Sequence, residues 1–142
     1  MTSMTARPGS SSGTAYEIVF DGGSLGNPGK GYGSFLIRYG DVELARERVE
    51  FEGRVTNNQA EYRTLIHALA RLKSTLGPEA ASATVQIGGD SQLVINQVNG
   101  TWKVKNADLA PLRQQVVEGL RQFGKTSLTW HRRDRSVREL GH

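Results

Sequence analysis

The sequence predicts an α/β fold, and three observations carry that expectation. Tyr16-Glu17-Ile18-Val19-Phe20 is a short run of β-branched and aromatic residues that leads straight into Asp21 and a glycine-dense segment. Two more runs of strand character follow, and Gly40-Asp41 between them is a strong hairpin signal. After Gly53 the period changes, with Leu65, Ala68, Leu69 and Leu72 recurring at helical spacing.

Taken in order, Tyr16–Phe20 reads as the first strand, Gly31–Tyr39 as the second and Val42–Phe51 as the third, an antiparallel meander. Asn58–Leu72 reads as a helix, and Gly77-Pro78 closes that region. Ala83–Ile87 reads as a fourth strand ending at Gly88-Gly89-Asp90, and Ser91–Val98 as a short helix stopped by Asn99-Gly100. Asp108–Phe123 has a second long helical pattern, with Pro111 tolerable in its first turn. Thr126–Arg132 makes a fifth strand, and the tail 133–142 adds at most a fragment of helix.

At 142 residues the chain is one domain by size, with Met1–Ala15, rich in Ser, Thr and Gly, read as a flexible leader to a folded unit over 16–142. Lys and Arg outnumber Asp and Glu by 18 to 14, a basic balance that suits a polyanionic partner. The absence of cysteine excludes disulfides and thiolate metal sites. No apolar run approaches the roughly 18–20 residues that a bilayer span requires, so no membrane association is expected. A cytoplasmic monomer is the corresponding expectation.

Three carboxylates stand in unusual settings. Asp21 follows an apolar strand, held among residues of little bulk. Glu61 heads the apolar stripe of its helix, since Leu65, Ala68, Leu69 and Leu72 fall at i+4, i+7, i+8 and i+11. Asp90 follows a strand and a Gly-Gly pair and precedes a helix. Each has an ordinary reading: a turn Asp, a first-turn Glu favoured by the helix dipole, a helix N-cap. Together they stand where one central sheet would gather them, and clustered carboxylates stay ionised only around a cation. Hard oxygen ligands without thiolates suit Mg²⁺ or Mn²⁺, and two such ions suit in-line attack of water on a phosphodiester.

At these residues the chain resembles type 1 ribonuclease H. The resemblance rests on Phe20-Asp21-Gly22-Gly23-Ser24-Leu25-Gly26-Asn27-Pro28-Gly29, Thr56-Asn57-Asn58-Gln59-Ala60-Glu61-Tyr62 and Gly89-Asp90-Ser91-Gln92-Leu93-Val94, in family order. It covers roughly residues 16–133. It implies a ribonuclease H-like fold, a five-stranded mixed sheet of order 3-2-1-4-5 flanked by helices. It also implies an endonuclease that hydrolyses the RNA strand of RNA–DNA hybrids with two Mg²⁺ ions. Asp21, Glu61 and Asp90 match the first three of the family's four acidic positions. Asn27, Asn57, Asn58 and Gln92 match positions that read bases and 2′-hydroxyls in the minor groove, and Thr56 matches a phosphate contact to the DNA strand. A second ordinary reading has Asn57-Asn58 cap the helix. Gly100-Thr101-Trp102-Lys103-Val104-Lys105 resembles compact bacterial and archaeal members without an inserted basic arm; either Trp102 with Lys103 and Lys105 rests on the DNA backbone or, in the ordinary reading, Trp102 is simply packed.

The pattern breaks at the tail. Counting from Trp130 puts Leu140 where the fourth Asp belongs. Glu139, one residue away, and His142 are the expected substitutes, both as metal ligands and in catalysis, while Asp134 belongs to the turn; in the ordinary reading three carboxylates suffice and the tail is a surface end. His131 with Arg132, Arg133, Arg135 and Arg138 makes a basic edge suited to phosphate. The altered tail leaves a second reading open, a module that binds RNA–DNA hybrid or double-stranded RNA with weakened catalysis. A dinucleotide-binding reading of the glycine segment fails, because it leads into a strand and not a helix.

Overall fold

The computed structural model describes residues 15–141, so most of the expected leader and His142 lie outside the described residues. Five strands form one sheet: β1 (Tyr16–Leu25), β2 (Gly29–Tyr39), β3 (Val42–Val55), β4 (Thr84–Gly89) and β5 (Lys125–Trp130). Four helices accompany them, α1 (Asn57–Leu76), α2 (Gln92–Val98), α3 (Ala110–Leu120) and α4 (Arg133–Leu140). The strand order is β3-β2-β1-β4-β5, the order implied by the resemblance. β1, β2 and β3 pair antiparallel, whereas β4 runs parallel to both β1 and β5. No helix among the described residues is long and apolar enough to cross a membrane.

Alternation along the strands sorts the two faces of the sheet. Ile18, Phe20, Phe35, Ile37, Val85 and Ile87 turn to one side and join Tyr62, Leu65, Leu69 and Leu72 of α1 in the main core. α3 packs against α1 in the same layer. On the opposite face α4 lies over β1 and β2. It is fastened there by a ring of charged side chains: Arg38 donates to Glu17 (2.8 Å) and with both terminal nitrogens to Glu139 (3.0 and 2.8 Å). Arg135 closes the ring onto Glu17 at 2.7 Å.

β1 is longer than expected. The strand does not end before the glycines but runs through Gly22 and Gly23 to Leu25, which pairs with Lys30. The glycines serve close packing there, not a turn. A Cβ on Gly22 would stand 2.7 Å from the Ala60 carbonyl oxygen, and one on Gly33 would stand 1.8 Å from Thr64 Oγ1. Bare backbone at these two positions is what lets the head of α1 lie directly on the sheet.

The tail also differs from expectation. The fifth strand stops at Trp130, because the His131 amide donates to the carbonyl of Gly89, where the neighbouring β4 ends. With no further strand to pair, the chain turns into α4, a helix of two turns where a fragment of helix is expected.

Gly33→Ala is expected to lower stability by about 1–3 kcal/mol, read from urea unfolding. Thr64 cannot yield cheaply, since it is fully buried and its hydroxyl donates to the Ala60 carbonyl at 2.7 Å. Adding Thr64→Ala should recover part of that loss; a purely additive double variant would contradict the packing argument.

Candidate active site

The site forms where β4 leaves β1. Their last pair is Phe20 with Gly89, so one residue later Asp21 and Asp90 lose their shared ladder and stand at the mouth of the sheet. Asp21 remains paired to Ser34 on its other side and is only 3% exposed. Glu61 arrives from α1 because Gly22 admits the helix backbone to contact. Ligand oxygens of Asp21, Glu61 and Asp90 consequently all lie within 4.8 Å of one another, a group able to hold a metal ion.

The two helices beside the group are capped by other residues. The N-cap of α2 is Ser91, whose hydroxyl accepts from the Val94 amide at 3.2 Å, so Asp90 is not the cap that its position suggests. Thr56 caps α1 in a reciprocal box with Gln59, with contacts of 3.1 and 2.8 Å, so the cap is neither Asn57 nor Asn58. The indole of Trp130 donates to the Asp90 carbonyl at 3.0 Å and fixes the backbone that carries the carboxylate.

Three acids in so small a space repel one another. Burial first, and then the charges of Asp21 and Asp90, push the Glu61 carboxyl up to about 7, against the opposing pull of the Ser91 hydroxyl and Arg133. Arg133, first residue of α4, donates to Asp90 Oδ2 at 3.4 Å and stands 3.5 Å from Asp21 Oδ2.

The amide residues cluster beside this group. The Ser24 amide donates to Asn57 Oδ1 (2.8 Å) and the Asn57 amide donates to Asn27 Oδ1 (3.0 Å), which ties the β1–β2 turn to the head of α1. Asn27, Thr56, Asn57 and Asn58 line a hollow of about 340 Å³ together with Gln59, Asn106, Asp108 and Leu109. Gln92 is exposed on the first turn of α2 and does not line that hollow. Trp102 is 45% exposed and so is not packed into the core, with Lys103 and Lys105 exposed beside it.

Glu139 is not brought to the carboxylates, and the expectation that it replaces a fourth ligand is corrected here. It lies six residues along α4 from Arg133, a rise of about 9 Å. Its carboxylate is held by Arg38 and Arg135, and Arg38 above all keeps it below the usual carboxylate range. His142 lies outside the described residues. His131 is buried, with Nε2 against the Ser136 hydroxyl at 2.8 Å, and Arg132 and Arg138 pair with Asp134. Of that basic edge, Arg133 is the residue that reaches the carboxylates.

The sequence profile of the RNase H family matches residues 13–134. The chain belongs to the ribonuclease H family. Among its relatives in that family is the bifunctional protein Rv2228c of Mycobacterium tuberculosis, 40% identical over 121 residues that make up 84% of this chain and 32% of the relative. The chain thus spans about a third of that relative's length. RNase H1 of the archaeon Halobacterium salinarum superposes with a TM-score of 0.77 at 35% identity, over 87% of this chain and 90% of the other. LC11-RNase H1, solved in complex with an RNA/DNA hybrid, superposes with a TM-score of 0.80 at 28% identity, over 88% and 92% of the two chains.

Within this ribonuclease H domain, sequence reasoning missed Ser91 and Trp130 as supports of the acids. Ser91 had a readable signal, being a better-placed cap than Asp90 for a helix starting at Gln92. Trp130 had none, because its partner is a backbone carbonyl forty residues away.

A raised carboxyl pKa means that folding favours the protonated form of Glu61. That contribution is complete below the ordinary carboxylate range and is lost as pH rises through about 7. In chelator-treated protein, Glu61→Gln should therefore raise stability near pH 8, by up to about 3 kcal/mol, and change little near pH 4. Urea unfolding at the two pH values checks this; an equal effect at both would contradict it.

Proposed function

We propose that this chain hydrolyses the RNA strand of RNA–DNA hybrids, with divalent cations, two Mg²⁺ or Mn²⁺ ions, held by Asp21, Glu61 and Asp90. The observation that carries the reading is the convergence of these three acids, from within β1, from the end of β4 and from the head of α1, into one group with Asp21 buried. The donor set fits the ions: oxygens only, no thiolate, and a Glu61 carboxyl that its neighbours drive toward protonation unless a cation offsets them. When bound, such ions neutralise phosphate charge and make water a competent nucleophile at neutral pH.

The chain's own residues supply the rest. Asn27, Asn57 and Asn58 present amides that donate and accept at once, the chemistry needed to read base edges and 2′-hydroxyls. Gln92 offers the same group from the start of α2. The Thr56 hydroxyl accepts from Gln59 and keeps its own proton for a phosphate oxygen. Trp102 with Lys103 and Lys105 offers an exposed ring and two cations to the DNA strand. LC11-RNase H1 in complex with an RNA/DNA hybrid supports this substrate class. Glu139 has a different task in this reading, the fastening of α4. The reading includes a monomer acting in the cytoplasm.

A second reading is favoured by one observation: among the described residues no fourth carboxylate joins the group. In that case the domain binds hybrid or double-stranded RNA with weakened turnover. Cleavage of matched RNA–DNA, RNA–RNA and DNA–DNA duplexes in Mg²⁺ distinguishes the two. Hybrid-selective cutting is expected, and Asp90→Asn should reduce it at least about 10²-fold while hybrid binding persists. Binding without cation-dependent cutting by the unaltered chain would favour the second reading.

A further inference from the structure

We infer that Arg133 is an internal competitor for the cation site, a residue that lowers the affinity of the three-carboxylate group for divalent ions. The inference rests on the metal-binding part of the proposed function and concerns the affinity of that site. Arg133 Nη1 stands 3.4 Å from Asp90 Oδ2 and 3.5 Å from Asp21 Oδ2, so one guanidinium nitrogen bridges two of the three acids. The acids are 3% and 6% exposed at their side chains, whereas Arg133 is 63% exposed. The guanidinium therefore closes the group from its solvent side, and its long stem is free to swing away.

A small hard cation that takes either of these oxygens at about 2.1 Å would lie no farther than about 5.6 Å from Nη1. Over that distance a doubly charged ion and a guanidinium repel each other even at the dielectric constant of water, by an amount equivalent to roughly tenfold in affinity. The guanidinium must leave its two acceptors, or the ion must bind against it. Either course weakens uptake. The backbone of Arg133 stays beside the site, because the helix it opens is fastened farther along by Arg38, Glu139, Arg135 and Glu17. Arg132 is a natural comparison, one residue earlier, exposed and paired with Asp134.

The test is Mn²⁺ binding to the whole chain without nucleic acid, followed by the electron spin resonance of free Mn²⁺, so that cleavage plays no part in the readout. Arg133→Ala and Arg133→Gln are each expected to bind Mn²⁺ about tenfold more tightly than the unaltered chain. Arg133→Lys, which keeps the charge, should fall between, and Arg132→Ala should match the unaltered chain. Arg133 is exposed, and circular dichroism of each variant checks that the fold is kept. If Arg133→Ala and Arg133→Gln bind with unchanged or weaker affinity while the unaltered chain binds Mn²⁺, the inference is overturned and the metal reading stands. If neither the unaltered chain nor the variants bind, the metal reading falls and the inference falls with it.

Discussion

Three carboxylates held within 4.8 Å of one another are the constraint around which this domain is arranged. Left alone they would drive each other apart or take up protons, and Glu61 is pushed toward protonation at neutral pH by burial and by its two neighbours. The fold holds them together by rigid means. Asp21 is locked in the middle of an antiparallel ladder of ten pairs, Asp90 sits directly beyond the last residue of β4, and Glu61 rides on a twenty-residue helix whose side chains fill the core. Asp21 and Glu61 lie within regular elements, and Asp90 lies in a two-residue connection whose backbone is held by the Trp130 indole.

The same arrangement decides what surrounds the acids. Because Gly22 lets the head of α1 touch the sheet, the capping segment of that helix comes to lie against the β1–β2 turn. Asn27, Asn57 and Asn58 are thereby gathered in one hollow at the head of the helix that carries Glu61. On the other face, α4 delivers Arg133 to the same corner while its remaining charged residues are spent on docking. A basic tail that reads as uniform in the sequence is thus divided by the fold into one residue at the site and several that hold the helix.

Much of the architecture was legible before the structure. Strand and helix types followed from period and from glycine or proline punctuation, and the strand order followed from the resemblance. The errors fell where backbone contacts outweigh local signals. Gly22 and Gly23 suggest a turn, yet they lie inside β1, since a helix and a tyrosine ring occupy the space their side chains would need. Glu139 stands one position from where a fourth acid is expected, but helix geometry and Arg38 place it at the far end of α4.

By itself the sequence determined the fold class and singled out the three acids by their local settings, while the amides entered through the resemblance, each in a short segment that can be read without the fold. Only the tertiary structure decided which charged residues meet. Arg133 and Asp90 are forty-three positions apart and Arg38 and Glu139 a hundred and one, and no local period encodes such pairs. They are set by how the strands order themselves and by which face of the sheet each helix must cover to bury its apolar side.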